Sequence, residues 1–292
     1  MGERTDDTFD RAGHLLIVGG GRMGEALAGG LLGRGWPADR LAVVETAPGR
    51  REELLHNHPG LRVEDTVEAA GSRLAAAGRS GGPGPDWAAV GAVVAVKPHD
   101  VTEVCAGLAA LGVGRVLSIA AGVSLAAMEA VMGRAAVLRA MPNTPALVGA
   151  GAAAVSAGTR AGPDDVAWAS AILGAIGTVV ELPETSLDAV TGLSGSGPAY
   201  VFLVAEAMVD AGVLAGLARP VARQLAVQTL LGSARLLAET GEEASALRAA
   251  VTSPGGTTAA GLRALEAAGV RSAFLDAVMA AAQRAQELGR PH

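Results

Sequence analysis

A glycine-rich turn near the amino terminus constrains the fold of this chain more strongly than any other feature of its sequence. Gly19–Gly24 (GGGRMG) follows a short apolar run and precedes Glu25–Gly33, a stretch with helical periodicity. In a G-x-G-x-x-G turn between a strand and a helix, the glycines permit a tight turn, a close approach of a pyrophosphate and close helix–strand packing. The turn therefore predicts a unit that binds a dinucleotide at the helix amino terminus. We expect the pyrophosphate to lie beside Gly19, Gly21, Arg22, Met23 and Gly24.

The first half of the chain alternates β-branched runs with Ala- and Leu-rich stretches. This alternation is typical of an α/β fold, a parallel sheet with crossover helices. We assign residues 14–182 to this dinucleotide-binding domain, with a flexible tail at residues 1–13 and a surface loop at Gly78–Asp86. The predicted strands are His14–Gly19, Leu41–Glu45, Leu61–Val63, Val90–Val96, Arg115–Ala120, Ala135–Arg139, Gly151–Ser156 and Gly177–Leu182.

The second half of the chain has a different periodicity and no further β-rich run. Ala, Leu and Val stretches with helical spacing extend from about Thr185 to the carboxyl terminus, and they predict an all-helical domain over residues 183–292. Half of the chain is hydrophobic, yet it contains only three Trp, one Tyr and three Phe. Helices that are apolar on all sides must be buried, and a domain of about 110 residues cannot bury so many apolar faces alone. We therefore expect a second subunit to cover them.

The second predicted strand ends at Glu45, where an acidic side chain accepts hydrogen bonds from the adenosine ribose hydroxyls of NAD. A carboxylate there repels the 2′-phosphate of NADP, whereas Arg50 and Arg51 could bind that phosphate as a guanidinium pair. The same arginines fit a solvated helix start equally well. Glu45, Thr46 and Arg50 are thus candidate cofactor ligands, and both NADP and NAD remain open as cofactors.

Small and conformationally special residues follow three later strands. They lie in Val96–Pro98, Ser118–Gly122 and Arg139–Pro145. Each segment alone is compatible with an ordinary turn. Because ligands of open α/β sheets bind at the carboxyl ends of the strands, we expect the three together to line the nicotinamide end of a cleft.

In the helical half, Ser253–Thr258 (SPGGTT) precedes a helix that begins near Ala259. Successive amide groups and three hydroxyls at a helix start form an anion-binding nest that suits a carboxylate. An ordinary helix cap needs only one hydroxyl, so the clustering favours a binding site. Ser194–Pro198 is a similar small-residue kink that fits either a ligand wall or a close helix crossing.

Several other classes of protein are disfavoured. The formal net charge is −6, and with so few aromatic residues the chain is a poor candidate for nucleic-acid binding. Apart from the pair His56 and His58, the histidines have no ligand spacing with Cys or carboxylates, so we expect no metal site. Cys105 lies at helical spacing among apolar residues, as a core residue does, and a single cysteine fits a reducing cytoplasm. Polar residues interrupt the most apolar run, around Val190–Val209, which argues against a membrane span.

These motifs resemble the pyrroline-5-carboxylate reductase family from about His14 to Leu288. The matching segments, in the family's order, are IVGGGRMGEAL, AVKP, SIAAGVS, RAMPNTPALVGAG, GLSGSGPAYVF and VTSPGGTTAAGLRALE. The resemblance implies a Rossmann-type domain followed by an all-α dimerisation domain, with homodimers assembled into a decamer. It also implies hydride transfer from NAD(P)H to the C=N carbon of 1-pyrroline-5-carboxylate, which gives L-proline in the last step of proline biosynthesis.

The resemblance further implies roles for individual residues. Ser253 and the amides of Gly256, Thr257 and Thr258 would hold the substrate carboxylate, and the Thr258 hydroxyl would hydrogen-bond the ring nitrogen as the catalytic group. In the family, helices of the partner subunit complete the substrate groove. The residues expected to border the nicotinamide and its ribose are Ala95, Lys97, Pro98, Ala120, Ala121 and Asn143.

The chain departs from the family at several positions. Arg22 stands where Asn is common, Ala249 where Asp is frequent, and Glu45 with Thr46 replaces small or polar residues, so a strict NADPH preference is in doubt. One alternative is another dehydrogenase or imine reductase of similar architecture, such as one that acts on a 3-hydroxy acid. That alternative expects a catalytic Lys or Asp in the long interdomain helix, where Leu187–Val213 offers only Asp188, Glu206 and Asp210. A dinucleotide-sensing protein is a second alternative, and it predicts a degraded nest at Ser253–Thr258, which is intact here.

Overall fold

Eight strands form one sheet in the order β3-β2-β1-β4-β5-β6-β7-β8. The structure, a computed structural model, describes residues 13–78 and 86–289. Apart from Gly13, Gly78 and Asp86, the predicted tail 1–13 and loop Gly78–Asp86 lie outside these residues. All eight predicted strands are confirmed to within two residues at each end. Their bounds are β1 Leu15–Val18, β2 Leu41–Val44, β3 Arg62–Glu64, β4 Gly91–Val94, β5 Arg115–Ser118, β6 Ala136–Met141, β7 Gly151–Ala157 and β8 Gly177–Glu181.

Twelve α-helices accompany the sheet within the described residues. Six of them connect or follow the strands: α1 Arg22–Gly33, α2 Pro48–Asn57, α3 Val67–Gly78, α4 Val101–Leu111, α5 Leu125–Met132 and α6 Pro163–Gly174. No strand follows β8 in this part of the chain. The later helices are α7 Leu187–Val190, α8 Gly197–Leu214, α9 Arg219–Thr240, α10 Ala244–Ala250, α11 Thr257–Ala267 and α12 Val270–Leu288.

The sheet has a separate aliphatic core on each face, because successive residues of a strand point to opposite sides. In β1, Leu15 and Ile17 pack with α1 and α6 on one face. Leu16 and Val18 pack with α3, α4 and α5 on the other. All four residues of β1, β2 and β4 are buried, as is typical of a parallel sheet covered on both sides. This explains why the strands are continuous apolar runs in the sequence.

The sheet is not parallel throughout, which corrects the sequence prediction. Strands β1 to β6 run in the same direction, but β7 pairs with β6 antiparallel, and β8 pairs with β7 in parallel. Residues 142–150 between β6 and β7 contain only the 3-10 turn Thr144–Val148. A parallel crossover needs a dozen or more residues, so this connection has to reverse the chain. Helix α6 supplies the crossover that returns β8 parallel to β7.

The chain divides into two compact units, one with the sheet and residues 281–289, the other comprising Ser196–Ala280. This division lies later than the domain limit at 182 and 183 predicted from the sequence. The reason is that the segment before Ser196 is attached to the sheet. Glu184 Oε1 accepts hydrogen bonds from the Leu125 amide and from Arg139 Nη1, both at 2.8 Å, and Leu187 is buried.

The second unit buries little of its apolar surface within itself. Its buried cluster consists of Val209, Ala222 and Ala226, where α8 and α9 pack against each other. Several large apolar side chains are more than 60% exposed, among them Phe202, Leu203, Leu275 and Met279. Exposed apolar surface of this extent is typical of a protein–protein interface.

Candidate functional site

Several sequence-predicted residues converge on one edge of the sheet, where β1 to β6 end. Gly19 follows β1, Glu45 follows β2, and Ala95 follows β4. The sheet order reverses between β1 and β4, because the chain moves outward to β2 and β3 and then returns to the other side of β1. Ligands of open α/β sheets bind in the crevice that forms at such a switch point.

Two glycines of the turn are required by their surroundings. Gly19 has a φ of +106°, and a Cβ there would lie 2.6 Å from the Ala95 carbonyl oxygen. A Cβ on Gly24 would lie 2.0 Å from the Gly19 carbonyl oxygen. Side chains at either position would force the first turn of α1 away from β1, so both glycines hold the helix close to the sheet.

Gly21 differs, because the protein itself leaves the space beside it free. A Cβ at Gly21 would meet no protein atom within 4 Å, and its φ of −64° is ordinary. Gly21 caps α1, and the amides of Arg22 and Met23 in the first turn have no intrahelical acceptor. Open space beside free amides and a positive helix end fits a pyrophosphate. The residues at this turn therefore fit the dinucleotide.

Glu45 is fixed to the glycine turn by both of its carboxylate oxygens. Oε2 accepts a hydrogen bond from the Gly20 amide at 3.0 Å, and Oε1 accepts one from the Ala47 amide at 2.9 Å. Each oxygen has a second lone pair, so the carboxylate can still accept two hydrogen bonds from a ligand. Thr46 beside it is exposed.

Arg50 and Arg51 both contact the protein rather than solvent alone. Arg50 donates from Nε to the Gly20 carbonyl at 2.8 Å and from Nη1 to Glu53 at 2.8 Å, and its Nη2 donates to Glu25. Arg51 Nη1 donates to the carbonyls of Glu45 and Thr46 at 3.0 and 2.8 Å. All three nitrogens of Arg50 are thus bound to protein acceptors, whereas Arg51 is bound through Nη1 alone.

Glu25 is the centre of this network. Asn57 Nδ2 donates to its carboxylate at 2.9 Å, and His58 Nε2 lies 3.4 Å away. Partial burial by itself would raise the pKa of Glu25, but the hydrogen bonds from Asn57 and Arg50, with the nearby charges, outweigh it and lower the pKa. Glu25 is therefore ionised at neutral pH and holds Arg50 against the glycine turn.

We expect Glu25→Gln to destabilise the protein at pH 7 by about 1–3 kcal/mol, because the charged hydrogen bonds weaken. The pKa of Glu25 is lower in the folded chain, so its carboxylate stabilises the fold above the ordinary pKa of 4.5. That stabilisation is lost as the pH falls through the folded pKa. Urea unfolding at one protein concentration measures the free energy of unfolding of the unsubstituted protein and of Glu25→Gln at each pH. A difference that stays constant from pH 7 to about pH 3 would contradict this role.

The residues expected near the nicotinamide also lie at the carboxyl ends of strands. Ala120 is buried at the end of β5, and Ala121 beside it is exposed. Lys97 and Pro98 are exposed after β4.

Asn143, after β6, is buried. Its Nδ2 donates to the Ser194 carbonyl at 3.0 Å, and its Oδ1 accepts from the Ala152 amide at 2.8 Å. Asn143 thus positions the backbone after β6 through its own side chain.

The small-residue kink at Ser194–Pro198 overlaps the end of a π-helical turn, Thr191–Gly195, which lies between α7 and α8. A Cβ at Gly195 would lie 2.8 Å from Met141 Cε. Met141 belongs to β6, so Gly195 packs closely against a strand, and this contact is not the helix crossing that was one of the two predictions for this segment. Turns of the π type are frequent at functional sites.

The predicted anion nest lies at the amino terminus of α11 in the second unit. Gly256 caps the helix without any side-chain capping bond, and Ser253, Thr257 and Thr258 are exposed. The Ser253 hydroxyl lies beside Gly256, where an added Cβ would approach its Oγ to 2.4 Å. Gly255 has a φ of +71°, and the Gly256 amide donates to the Ser253 carbonyl at 3.0 Å, so the Thr257 and Thr258 amides are the first-turn donors that lack an intrahelical acceptor. The geometry can hold one carboxylate through amides and hydroxyls.

Cys105 is a poor candidate for a role in this chemistry. Burial raises the pKa of the Cys105 thiol to about 11, so the thiolate is scarce at neutral pH and the residue is a poor nucleophile. Among residues 13–78 and 86–289, no group of three or more His, Cys, Asp or Glu side chains could hold a metal ion.

Sequence reasoning missed the residues that support the site. The sequence predicted Gly20 only as a member of the glycine turn, although its amide donates to Glu45 and its carbonyl accepts from Arg50. It did not predict Glu25 or Asn57 as site residues. Glu25 did carry a signal, since an acidic residue in the first turn of a helix opposes the binding of a phosphate there unless a cation neutralises it. The contact with Arg50 spans 25 positions, which no local pattern reveals.

Similar proteins match along nearly the whole chain. Residues 184–288 match a family model described as pyrroline-5-carboxylate reductase dimerisation. The curated pyrroline-5-carboxylate reductase of Synechocystis sp. is 46% identical over 279 residues, covering 94% of this chain and 98% of that protein. That of Arabidopsis thaliana is 38% identical over 277 residues, covering 94% and 95%.

Solved structures give a consistent picture. A pyrroline-5-carboxylate reductase from Coxiella burnetii superposes with a TM-score of 0.86 at 32% identity, covering 96% of this chain and all of that one. The pyrroline carboxylate reductase of Plasmodium falciparum, solved with NADP bound, superposes with a TM-score of 0.78 at 27% identity, covering 95% and 98%.

Proposed function

This chain belongs to the pyrroline-5-carboxylate reductase family, and from that membership we propose which of its residues carry out the reaction. The enzyme reduces 1-pyrroline-5-carboxylate to L-proline with NAD(P)H, the last step of proline biosynthesis. The observation that carries this function is the 46% identity to a curated reductase across 94% of the chain. An intact glycine turn and an intact nest at Ser253–Thr258 support it.

We propose that the nest binds the substrate carboxylate. The amides of Thr257 and Thr258 lie in the first turn of α11, where the helix dipole favours an anion, while the Gly256 amide, the third proposed donor, also donates to the Ser253 carbonyl at 3.0 Å. The Ser253 hydroxyl, held beside Gly256, adds a further donor. Substrate held at several points reacts as if at high concentration, so positioning contributes much of the rate.

The Thr258 hydroxyl accepts a hydrogen bond from the ring N–H of the substrate. The cyclic imine is basic enough to be protonated in water, so the reacting form is an iminium with an electrophilic carbon. Bound NAD(P)H supplies the hydride that this carbon accepts, and the C=N double bond becomes the C–N bond of the amine. The nitrogen proton is already in place, so the step needs no strong acid from the protein.

We propose that the strand-end residues hold the cofactor. Gly19, Gly21, Arg22, Met23 and Gly24 contact the pyrophosphate, and Glu45, Thr46 and Arg50 surround the adenosine ribose. Small side chains at Ala95, Ala120 and Ala121 leave room for the nicotinamide. Lys97 and Pro98 border the same region, and Asn143 holds the chain after β6 in position.

The protein is a homo-oligomer, and we propose a homodimer formed through residues 184–288. The helical stretch Glu184–Leu214 contains an 18-residue window with a mean hydropathy of 1.4, of which only 6% is buried, and by length and composition the stretch could cross a membrane. The match of this region to a dimerisation family supports a partner subunit, rather than lipid, as its cover. We further propose that dimers assemble into a decamer, that the enzyme works in the cytoplasm, and that it binds no nucleic acid.

Turnover tests the proposed function directly. Purified full-length protein should oxidise NADPH or NADH only when 1-pyrroline-5-carboxylate is added, and L-proline should accumulate in equal amount. Absence of turnover with both cofactors would contradict the proposal. Sedimentation analysis tests the assembly, since a folded monomer at micromolar concentration would contradict the dimer.

A further inference from the structure

We infer that Glu45 makes this enzyme select NADH over NADPH. The inference rests on the proposed function, because it assumes that the glycine turn holds the pyrophosphate of a dinucleotide. The two cofactors differ only at the 2′ position of the adenosine ribose, which carries a hydroxyl in NADH and a phosphate in NADPH. In this fold that position lies at the end of β2, which is where Glu45 stands.

The Glu45 carboxylate cannot easily move aside for a phosphate. Its Oε2 accepts from the Gly20 amide and its Oε1 from the Ala47 amide, at 3.0 and 2.9 Å. Gly20 is buried, so rotating Glu45 away would leave a buried amide without a partner, which carries a substantial penalty. The negative charge is thus part of the turn itself.

The chemistry of the fixed carboxylate matches a diol and not a phosphate. An ionised carboxylate only accepts hydrogen bonds, and the remaining lone pairs of Glu45 can accept from two ribose hydroxyls. A phosphate dianion has no proton to donate, and two like charges in contact repel strongly. The same group therefore attracts one cofactor and repels the other.

Two of the neighbouring cations, Arg50 and Arg22, do not compensate for this charge. Arg50 donates hydrogen bonds to the Gly20 carbonyl, Glu53 and Glu25. The two carboxylates already neutralise the charge of its guanidinium group. Arg22 lies at the pyrophosphate end of the turn, and both cofactors carry the pyrophosphate. Arg51 is the strongest competitor, although its Nη1 is bound to the carbonyls of Glu45 and Thr46.

Isothermal titration of the full-length protein with NAD⁺, NADH, NADP⁺ and NADPH tests the inference without any turnover. We expect the unsubstituted protein to bind NADH at least about tenfold more tightly than NADPH. Glu45→Gln keeps the shape but removes the charge, and it should reduce that ratio about tenfold or more. Glu52→Gln removes the same charge from an exposed position on α2 and should leave the ratio unchanged.

The ratio of the NADH affinity to the NADPH affinity, rather than either affinity alone, tests whether Glu45 determines the cofactor preference. If Glu45→Gln merely loosened the turn, both cofactors would weaken equally, and that outcome would overturn the inference. Tighter binding of NADPH by the unsubstituted protein, or a selective loss of NADPH binding in Arg51→Gln, would also overturn it. If no dinucleotide bound at all, the proposed function would fail as well, so the two failures are distinguishable.

Discussion

Replacing Gly21 by valine is expected to abolish detectable dinucleotide binding while the protein stays folded. The fold tolerates the side chain, because a Cβ at Gly21 meets no protein atom within 4 Å and the backbone there has an ordinary φ. The valine instead fills the space that we assign to the pyrophosphate. We expect calorimetric affinity to fall at least about a hundredfold, while the free energy of unfolding changes by about 1 kcal/mol or less, the cost of a poor helix cap.

Gly24→Ala is the matched comparison for Gly21→Val. Its Cβ would lie 2.0 Å from the Gly19 carbonyl oxygen, so α1 must shift away from β1. We expect this smaller side chain to lower the free energy of unfolding by about 1–3 kcal/mol, as overpacking does, and to weaken dinucleotide binding as well. If Gly21→Val bound NADH like the unsubstituted protein, the pyrophosphate would not lie beside Gly21.

Thr258→Ala is expected to lower kcat/KM about ten- to a hundredfold, equivalent to the loss of one hydrogen bond to a charged group. The variant removes the hydroxyl that orients the ring nitrogen but leaves the amide that binds the carboxylate. Dinucleotide affinity should therefore stay unchanged. Steady-state kinetics with saturating cofactor, together with calorimetry, separate the two effects.

Three further variants define what a change at Thr258 means. Thr258→Val keeps the branched shape without the hydroxyl and should match Thr258→Ala, whereas Thr258→Ser keeps the hydroxyl and should recover most of the activity. Thr252→Val removes a hydroxyl that is bound to the Arg248 carbonyl at 2.6 Å, just outside the nest, and should change kcat/KM little. Unchanged catalysis in Thr258→Ala would refute the role assigned to its hydroxyl.

The strands were predictable because their signal is local. A strand such as Leu15–Val18 is buried on both faces, so every one of its residues must be apolar, and the run can be read directly. The glycine turn was predictable for a related reason. Gly19 and Gly24 each lie against backbone atoms, where only glycine fits, and their spacing follows from the strand-to-helix geometry.

Other features depended on contacts that no local pattern encodes. The sequence prediction of a parallel sheet was wrong for β7, which pairs with β6 antiparallel because the connection between the two strands is short. Arg50 is held at the glycine turn by a hydrogen bond to Glu25, which lies 25 positions away in the sequence. The division of the chain after Gly195 follows from the attachment of Glu184 to Arg139 and the Leu125 amide.

The sequence by itself determined the α/β architecture, the dinucleotide turn and the surplus of apolar helix surface, because each rests on residue type and spacing along the chain. Only the tertiary structure decided which charges are free to meet a ligand. The sequence makes both Glu45 and Arg50 candidate cofactor ligands. In the structure, hydrogen bonds fix the Glu45 carboxylate in the glycine turn and bind the Arg50 guanidinium to Glu25 and Glu53. Electrostatic partners are chosen by distance in space, and that distance exists only once the chain has folded.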